Sequence, residues 1–113
     1  MLFRSSLTDG ESNSNMMIDD ATVYYPVIWC REKGDAWYLP AKDELQAVFD
    51  NRETINTTLN KIGETIMLGT ENTPYWSSTE SSKSQAYCLD FKTNSWKIVS
   101  KGSTCNIRAV RYL

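Results

Sequence analysis

Hydroxyl and thiol side chains are the groups in this chain that invite chemistry. Ser77, Ser78 and Thr79 stand in a row within Tyr75-Trp76-Ser77-Ser78-Thr79-Glu80, and Cys30, Cys88 and Cys105 supply three thiols. A serine nucleophile needs a neighbouring base, most often histidine. The chain has no histidine, so a Ser-His-Asp arrangement is excluded. A serine–lysine pair would have to draw on Lys83, and hydrogen bonding of a buried segment is the simpler role for these hydroxyls. Three cysteines leave at least one thiol free or bridged to another chain. With neither histidine nor a Cys-x-x-Cys pair, a structural zinc site lacks its usual ligands. Asp19-Asp20 and Asp43-Glu44 are sequence neighbours, which do not converge on one face for acid–base work. Calcium wants six to eight oxygens, yet the tract Asn72 to Glu80 offers Glu80 as its one carboxylate. The expectation is therefore no catalytic residue, no metal and no cofactor.

A binding role fits the composition better. Four Trp, six Tyr and three Phe in 113 residues make a high aromatic load, suited to core packing and to contact surfaces. A net charge of −2 argues against a general nucleic-acid binder. The charge is uneven: residues 1–60 hold 5 basic and 10 acidic side chains (5 − 10 = −5), whereas residues 61–113 hold 7 and 4 (7 − 4 = +3). This mild asymmetry reads first as solvated surface and second as a preference for an anionic partner. No apolar run approaches the ~20 residues of a membrane span. Met-Leu-Phe-Arg-Ser-Ser does not read as a signal peptide; the chain is either intracellular or a piece of a longer exported protein.

The elements that must position these residues follow from spacing. Residues 1–15 are polar and carry an Asp9-Gly10 turn signal, so 1–14 read as irregular, a strand remnant and loop. A helix begins near Tyr25, where Pro26 fits a first turn, and stops at Gly34. Trp37 to Leu39 reads as a short strand ended by Pro40. Leu45, Val48 and Phe49 share one face of the clearest helix. Ala41 stands at its cap position without a side-chain acceptor, a loss of about 1 kcal/mol. A further helix runs from about Arg52 to Ile62. From residue 64 the pattern becomes β: Tyr75–Ser78, then Tyr87, Leu89 and Phe91 alternating, a turn at 92–95, Trp96–Val99, and a final alternation through Cys105, Ile107 and Ala109. The whole predicts one α+β domain over 1–113, two to three helices packed on a small twisted antiparallel sheet. If the hairpin pairs Phe91 with Trp96, Cys88 lies opposite Val99. A simple meander then puts Cys105 about 10 Å from Cys88, too far for a disulfide. Glu44 is a candidate bidentate partner for Arg108 or Arg111, with a helix-dipole role as the alternative.

The ordered set Asp9-Gly10…Asn13, Pro26…Cys30, Trp37-Tyr38-Leu39-Pro40…Glu44-Leu45, Tyr75 to Glu80, Ala86 to Phe91 and Ile107 to Arg111 resembles the C-terminal domain of Legionella collagen-like adhesins. The same domain is similar to parts of many Bacteroides surface proteins. The likeness covers roughly residues 8–112. It implies a C-type lectin-like fold and an exported or cell-surface module, secreted or attached, that binds glycans or proteins without catalysis and without inserting in a membrane. The family is distantly similar to formylglycine-generating enzymes and to retroelement-diversified receptor-binding proteins, which supply the two rival functions. Two positions depart from the family pattern: Ala41 replaces Ser or Thr, and Ala109 stands where many members have Cys, which bears on the family disulfide.

Trp37 and Trp76 read as core, and Cys30 as a buried thiol. The candidate binding face is the C-terminal hairpin and its loops: Asn72, Lys83, Lys92, Asn94, Trp96, Lys101 and Asn106, with Ser82, Gln85 and Ser103 beside them. Trp96 is the anchor candidate, since indole stacks on sugar faces or fills protein pockets. Its structural alternative is packing on Phe91.

Overall fold

A computed structural model describes residues 6–19, 24–61 and 74–111. Among the described residues, four helices precede a three-stranded sheet: α1 Gly10–Asp19, α2 Tyr25–Arg31, α3 Lys42–Asp50, α4 Arg52–Lys61, then β1 Tyr75–Ser82, β2 Gln85–Asp90 and β3 Ser95–Ser100. The strands are antiparallel in the order β1-β2-β3. This is the expected α+β plan with one more helix.

The added helix, α1, corrects the reading of residues 10–14 as loop. Asp9 is its cap, accepting the Ser12 N–H at 2.9 Å, so Asp9-Gly10 opens a helix instead of a turn. Two of the polar residues that suggested solvent exposure are buried: Asn13 and Ser14 are 1% and 0% exposed. Their polarity serves hydrogen bonds inside the protein. In the opposite direction, two expected strands shrink to isolated bridges. Tyr38 pairs with Val110, and Asn106 pairs in parallel with Tyr75.

The sheet divides two cores, because strand residues alternate between faces. On one face Trp76, Ala86 and Cys88 meet Met17, Val27, Cys30 and Leu39. On the other, Tyr75, Leu89 and Phe91 meet Leu45 and Phe49 of α3. Trp76 is therefore core, with Tyr24 edge-on to it at 5.3 Å. Trp37 is only half-buried, and Arg111 lies 5.1 Å over its ring.

Polar residues run through the buried part of β1. The register against β2 shifts between Trp76 and Glu80, so β1 bulges across Ser77, Ser78 and Thr79. Several groups along the bulge find partners outside the ladder. Ser77 Oγ donates to the Tyr87 carbonyl at 2.7 Å. The Ser78 N–H reaches the Pro40 carbonyl at 2.8 Å. Thr79 Oγ1 donates to the Ser6 carbonyl at 2.8 Å and accepts the Lys42 N–H at 2.9 Å.

That last bond answers the missing cap at Ala41. The first-turn donors of α3 are met from elsewhere, Lys42 N–H by Thr79 and Asp43 N–H by the Leu7 carbonyl at 2.8 Å, while the cap N–H of Ala41 is taken by Glu44 Oε1 of the same turn at 3.0 Å. Glu44 also accepts the Gly10 N–H at 2.7 Å and the Tyr38 hydroxyl at 2.9 Å. These bonds replace the expected ion pair; among the described residues neither Arg108 nor Arg111 pairs with Glu44. The helix and sheet are fastened through backbone donors instead.

Gly10 is a position where the close approach forbids a side chain. A Cβ there would lie 2.5 Å from Leu39 O, 2.6 Å from Ala41 N and 2.6 Å from Glu44 Oε1. Gly10→Ala should cost about 2–3 kcal/mol in urea denaturation through overpacking of backbone atoms that cannot yield. Gly102→Ala, where the nearest atom is Ser100 Oγ at 3.8 Å, should stay within about 0.5 kcal/mol. Equal midpoints for the two variants would contradict this packing.

Candidate functional site

The β2–β3 hairpin carries an open aromatic face. Pairing of Tyr87 with Ile98 and of Leu89 with Trp96 puts all four side chains on the α3 side of the sheet. Leu89 is covered by α3, while Ile98 is 54% exposed and Tyr87 and Trp96 are half-buried. Lys42, at the start of α3, places its ammonium 4.3 Å from the Tyr87 ring centre and 5.1 Å from that of Trp96. Gln46, one helical turn on, accepts the Trp96 indole N–H at 3.1 Å and donates to Asn94 Oδ1 at 2.9 Å. The result is a fixed indole flanked by a cation, two amides and a phenol.

The hairpin register differs from the expected one. Leu89, not Phe91, stands opposite Trp96, and Cys88 faces Lys97. The cause is local. Asp90 Oδ1 accepts the Lys92 N–H at 2.9 Å, and Asn94 adopts φ 52°, a left-handed conformation that asparagine tolerates. Together they start the turn earlier, and Phe91 folds into the core against Phe49 and Tyr75. The Lys92 N–H, aided by Lys97 at 3.5 Å, holds the Asp90 carboxyl below its ordinary range.

The structure brings only some of the expected binding residues together. Trp96 and Asn94 share Gln46, and exposed Lys92 lies on the same turn. Lys83 occupies the opposite turn, between β1 and β2, roughly one strand length or ~20 Å away. Lys101 is 9% exposed and ion-paired with Glu80, so it fastens the loop after β3. Asn106 bridges the free edge of β1. Asn72 lies outside the described residues. Sequence reasoning missed Lys42, Gln46 and Tyr87. Lys42 and Gln46 are four apart on the helix whose Leu45 and Phe49 face the sheet, and that spacing was the available signal.

Among known protein families, residues 8–111 match the Lcl C-terminal domain. The chain belongs to this family. No curated protein matches it. In this Lcl C-terminal domain the frame of α3, β1 and the terminal bridges is built from the stretches that carried the resemblance.

The thiols of the domain occupy different surroundings. Cys30 is fully buried, and burial pushes its thiol up to about 12. Cys88 is also buried, yet its Sγ lies 3.7 Å from that of half-buried Cys105. This overturns the separation expected of a meander. Residue 106 pairs with the edge of β1 away from β2, whereas β3 lies beyond β2. The chain must therefore cross the sheet between Ser100 and Asn106, and it does so over the face that carries Cys88. The bond to Cys105 and burial push the Cys88 thiol up, while Cys88 S–H donation holds Cys105 below its ordinary value. In the reduced native protein, iodoacetamide near pH 8 should label Cys105 first, with Cys30 and Cys88 protected until unfolding. Peptide mapping by mass spectrometry reads the order, and labelling of Cys30 at a comparable rate would contradict it.

Proposed function

We propose that this domain is a non-catalytic recognition module of a bacterial surface or secreted protein, and that it binds glycan or protein ligands through the α3–hairpin face. The observation that carries the reading is the Trp96 indole, fixed by Gln46 and bordered by Lys42, Tyr87 and Asn94. An aromatic side chain held in one rotamer contacts a sugar ring or an apolar side chain at little entropic cost. The amides and the ammonium beside it offer hydrogen bonds and charge for orientation. Membership of the Lcl C-terminal domain family supports an adhesin-type role at the cell surface. A lectin-like mode of binding, reversible and carried by a rigid β scaffold, accords with both.

The formylglycine-generating rival calls for a reactive thiol pair beside a cleft. Cys88 is in contact with Cys105 but fully buried, which favours the recognition reading.

The test is a screen of the purified domain on immobilised glycans and extracellular-matrix proteins, with variants measured on the strongest binder. Trp96→Ala and Lys42→Ala should each weaken binding about tenfold or more, a loss of at least ~1.4 kcal/mol. Lys83→Ala, at the opposite turn, should bind as the wild type. Near-UV circular dichroism of each variant separates lost binding from lost fold. Full binding by a folded Trp96→Ala domain would remove the proposed anchor.

A further inference from the structure

We propose that Cys88 and Cys105 form a latent intramolecular crosslink, closed by a disulfide-bearing oxidant, that staples the crossing segment after β3 onto the central strand β2. The two residues are 17 apart in sequence and are brought together only by the crossing of the sheet, with their sulfurs 3.7 Å apart. A disulfide bond is ~2.05 Å long, so the sulfurs must close by about 1.7 Å. The segment has the freedom to do this. Gly102, Ser103 and Thr104 are exposed; the Lys101 N–H to Ser84 O and the Ser103 N–H to Ser100 O tie the start of the segment and Asn106 ties its end to β1, which leaves Thr104 and Cys105 without a backbone tie to the sheet between them. Cys88 cannot supply the movement, since it sits mid-strand and paired on both sides.

The exposure of the two thiols sets the order of events. Cys105, the half-buried member, is reached by the oxidant first. Its thiolate attacks one sulfur of a donor R–S–S–R, forming a mixed disulfide and releasing one R–S⁻. Cys88 then loses its proton and attacks the Cys105 sulfur, which expels the second R–S⁻. Two thiol protons and two electrons leave the protein, and the donor disulfide becomes two thiols. Cys30, fully buried on α2, takes no part.

The crosslink removes conformations from the unfolded chain and adds a covalent tie to the Lys101–Asn106 passage, which otherwise is held by its hydrogen bonds and the Lys101–Glu80 ion pair. It is not the bond implied by the family resemblance, because that one depends on a cysteine where this chain has Ala109.

The experiment incubates the folded domain with oxidised glutathione, then compares it with a sample kept in a phosphine reductant. Peptide mapping should find a Cys88–Cys105 linked fragment, lighter by two hydrogens than its reduced parts. The melting temperature should rise by about 10 °C on oxidation. The rise should persist in Cys30→Ala and vanish in Cys105→Ser, whose reduced-state melting curve reports whether it folds. Free alkylation of both thiols after native oxidation would overturn the proposal, as would a bridge involving Cys30 or a Cys88–Cys105 bond that forms only in denaturant.

Discussion

The carboxylate of Glu44 is the contact on which the other parts of the domain depend. Its two oxygens accept the Gly10 N–H, the Ala41 N–H and the Tyr38 hydroxyl. It thereby joins the start of α1, the start of α3 and the segment bridged to the C-terminal end. Hydrogen bonds to a charged acceptor contribute about 1.5–3 kcal/mol each. Removal of the acceptor would also strand two backbone donors in a crowded junction. The lack of room for a Cβ at Gly10 is the same constraint seen from the other side.

A second set of buried polar groups continues from this junction into the sheet. Asn13 takes the Ser6 N–H, donates to the Ser6 carbonyl and reaches Ser78 Oγ. Ser14 Oγ accepts the Leu39 N–H at 3.2 Å, and Tyr24 donates to the Ser77 carbonyl at 3.2 Å. Buried polar groups are costly unless satisfied. Here the bulge in β1 frees the Ser78 N–H for the Pro40 carbonyl and the Ser77 carbonyl for Tyr24, while the side chains of Ser78 and Thr79 meet Asn13 and Ser6. This lends the frame a specific arrangement where apolar packing alone would permit sliding. The hairpin beyond Glu80 shares little of this network. Its outer face is held by Gln46 and Lys42, which leaves its composition free to serve contact.

Much of this was legible in the sequence, for reasons that differ by element. The helix at 42–50 announces itself because one side of it is apolar, and β2 because its residues are β formers bounded by turn residues, apolar on both faces. Among the stretches on which the resemblance rested, Asp9-Gly10, Trp37 to Leu45 and Tyr75 to Glu80 hold the residues of the Glu44 junction and the bulge. What misled was polarity. Asn13 and Ser14 look solvated in sequence, although they are buried donors and acceptors. The absent cap at Ala41 suggested a weak helix start, because partners as distant as Leu7 and Thr79 leave no local trace. The hairpin register slipped because one Asx turn at Asp90 and one left-handed Asn94 reset it. The thiol contact was missed because the final segment crosses the sheet, and a meander was the simpler path. The grouping of Trp96 with Lys42 and Gln46 depends on that register and on the helix packing, so the candidate face was only half readable.

Native-state hydrogen exchange tests most directly whether the Glu44 junction and the β1 bulge form one frame. The amides of Gly10, Ala41, Lys42 and Ser78 are all bonded within that network. Their opening free energies should coincide with each other and with global unfolding. Fast exchange at Gly10 and Ala41, at rates typical of frayed helix ends while the amides of β2 stay protected, would contradict the account.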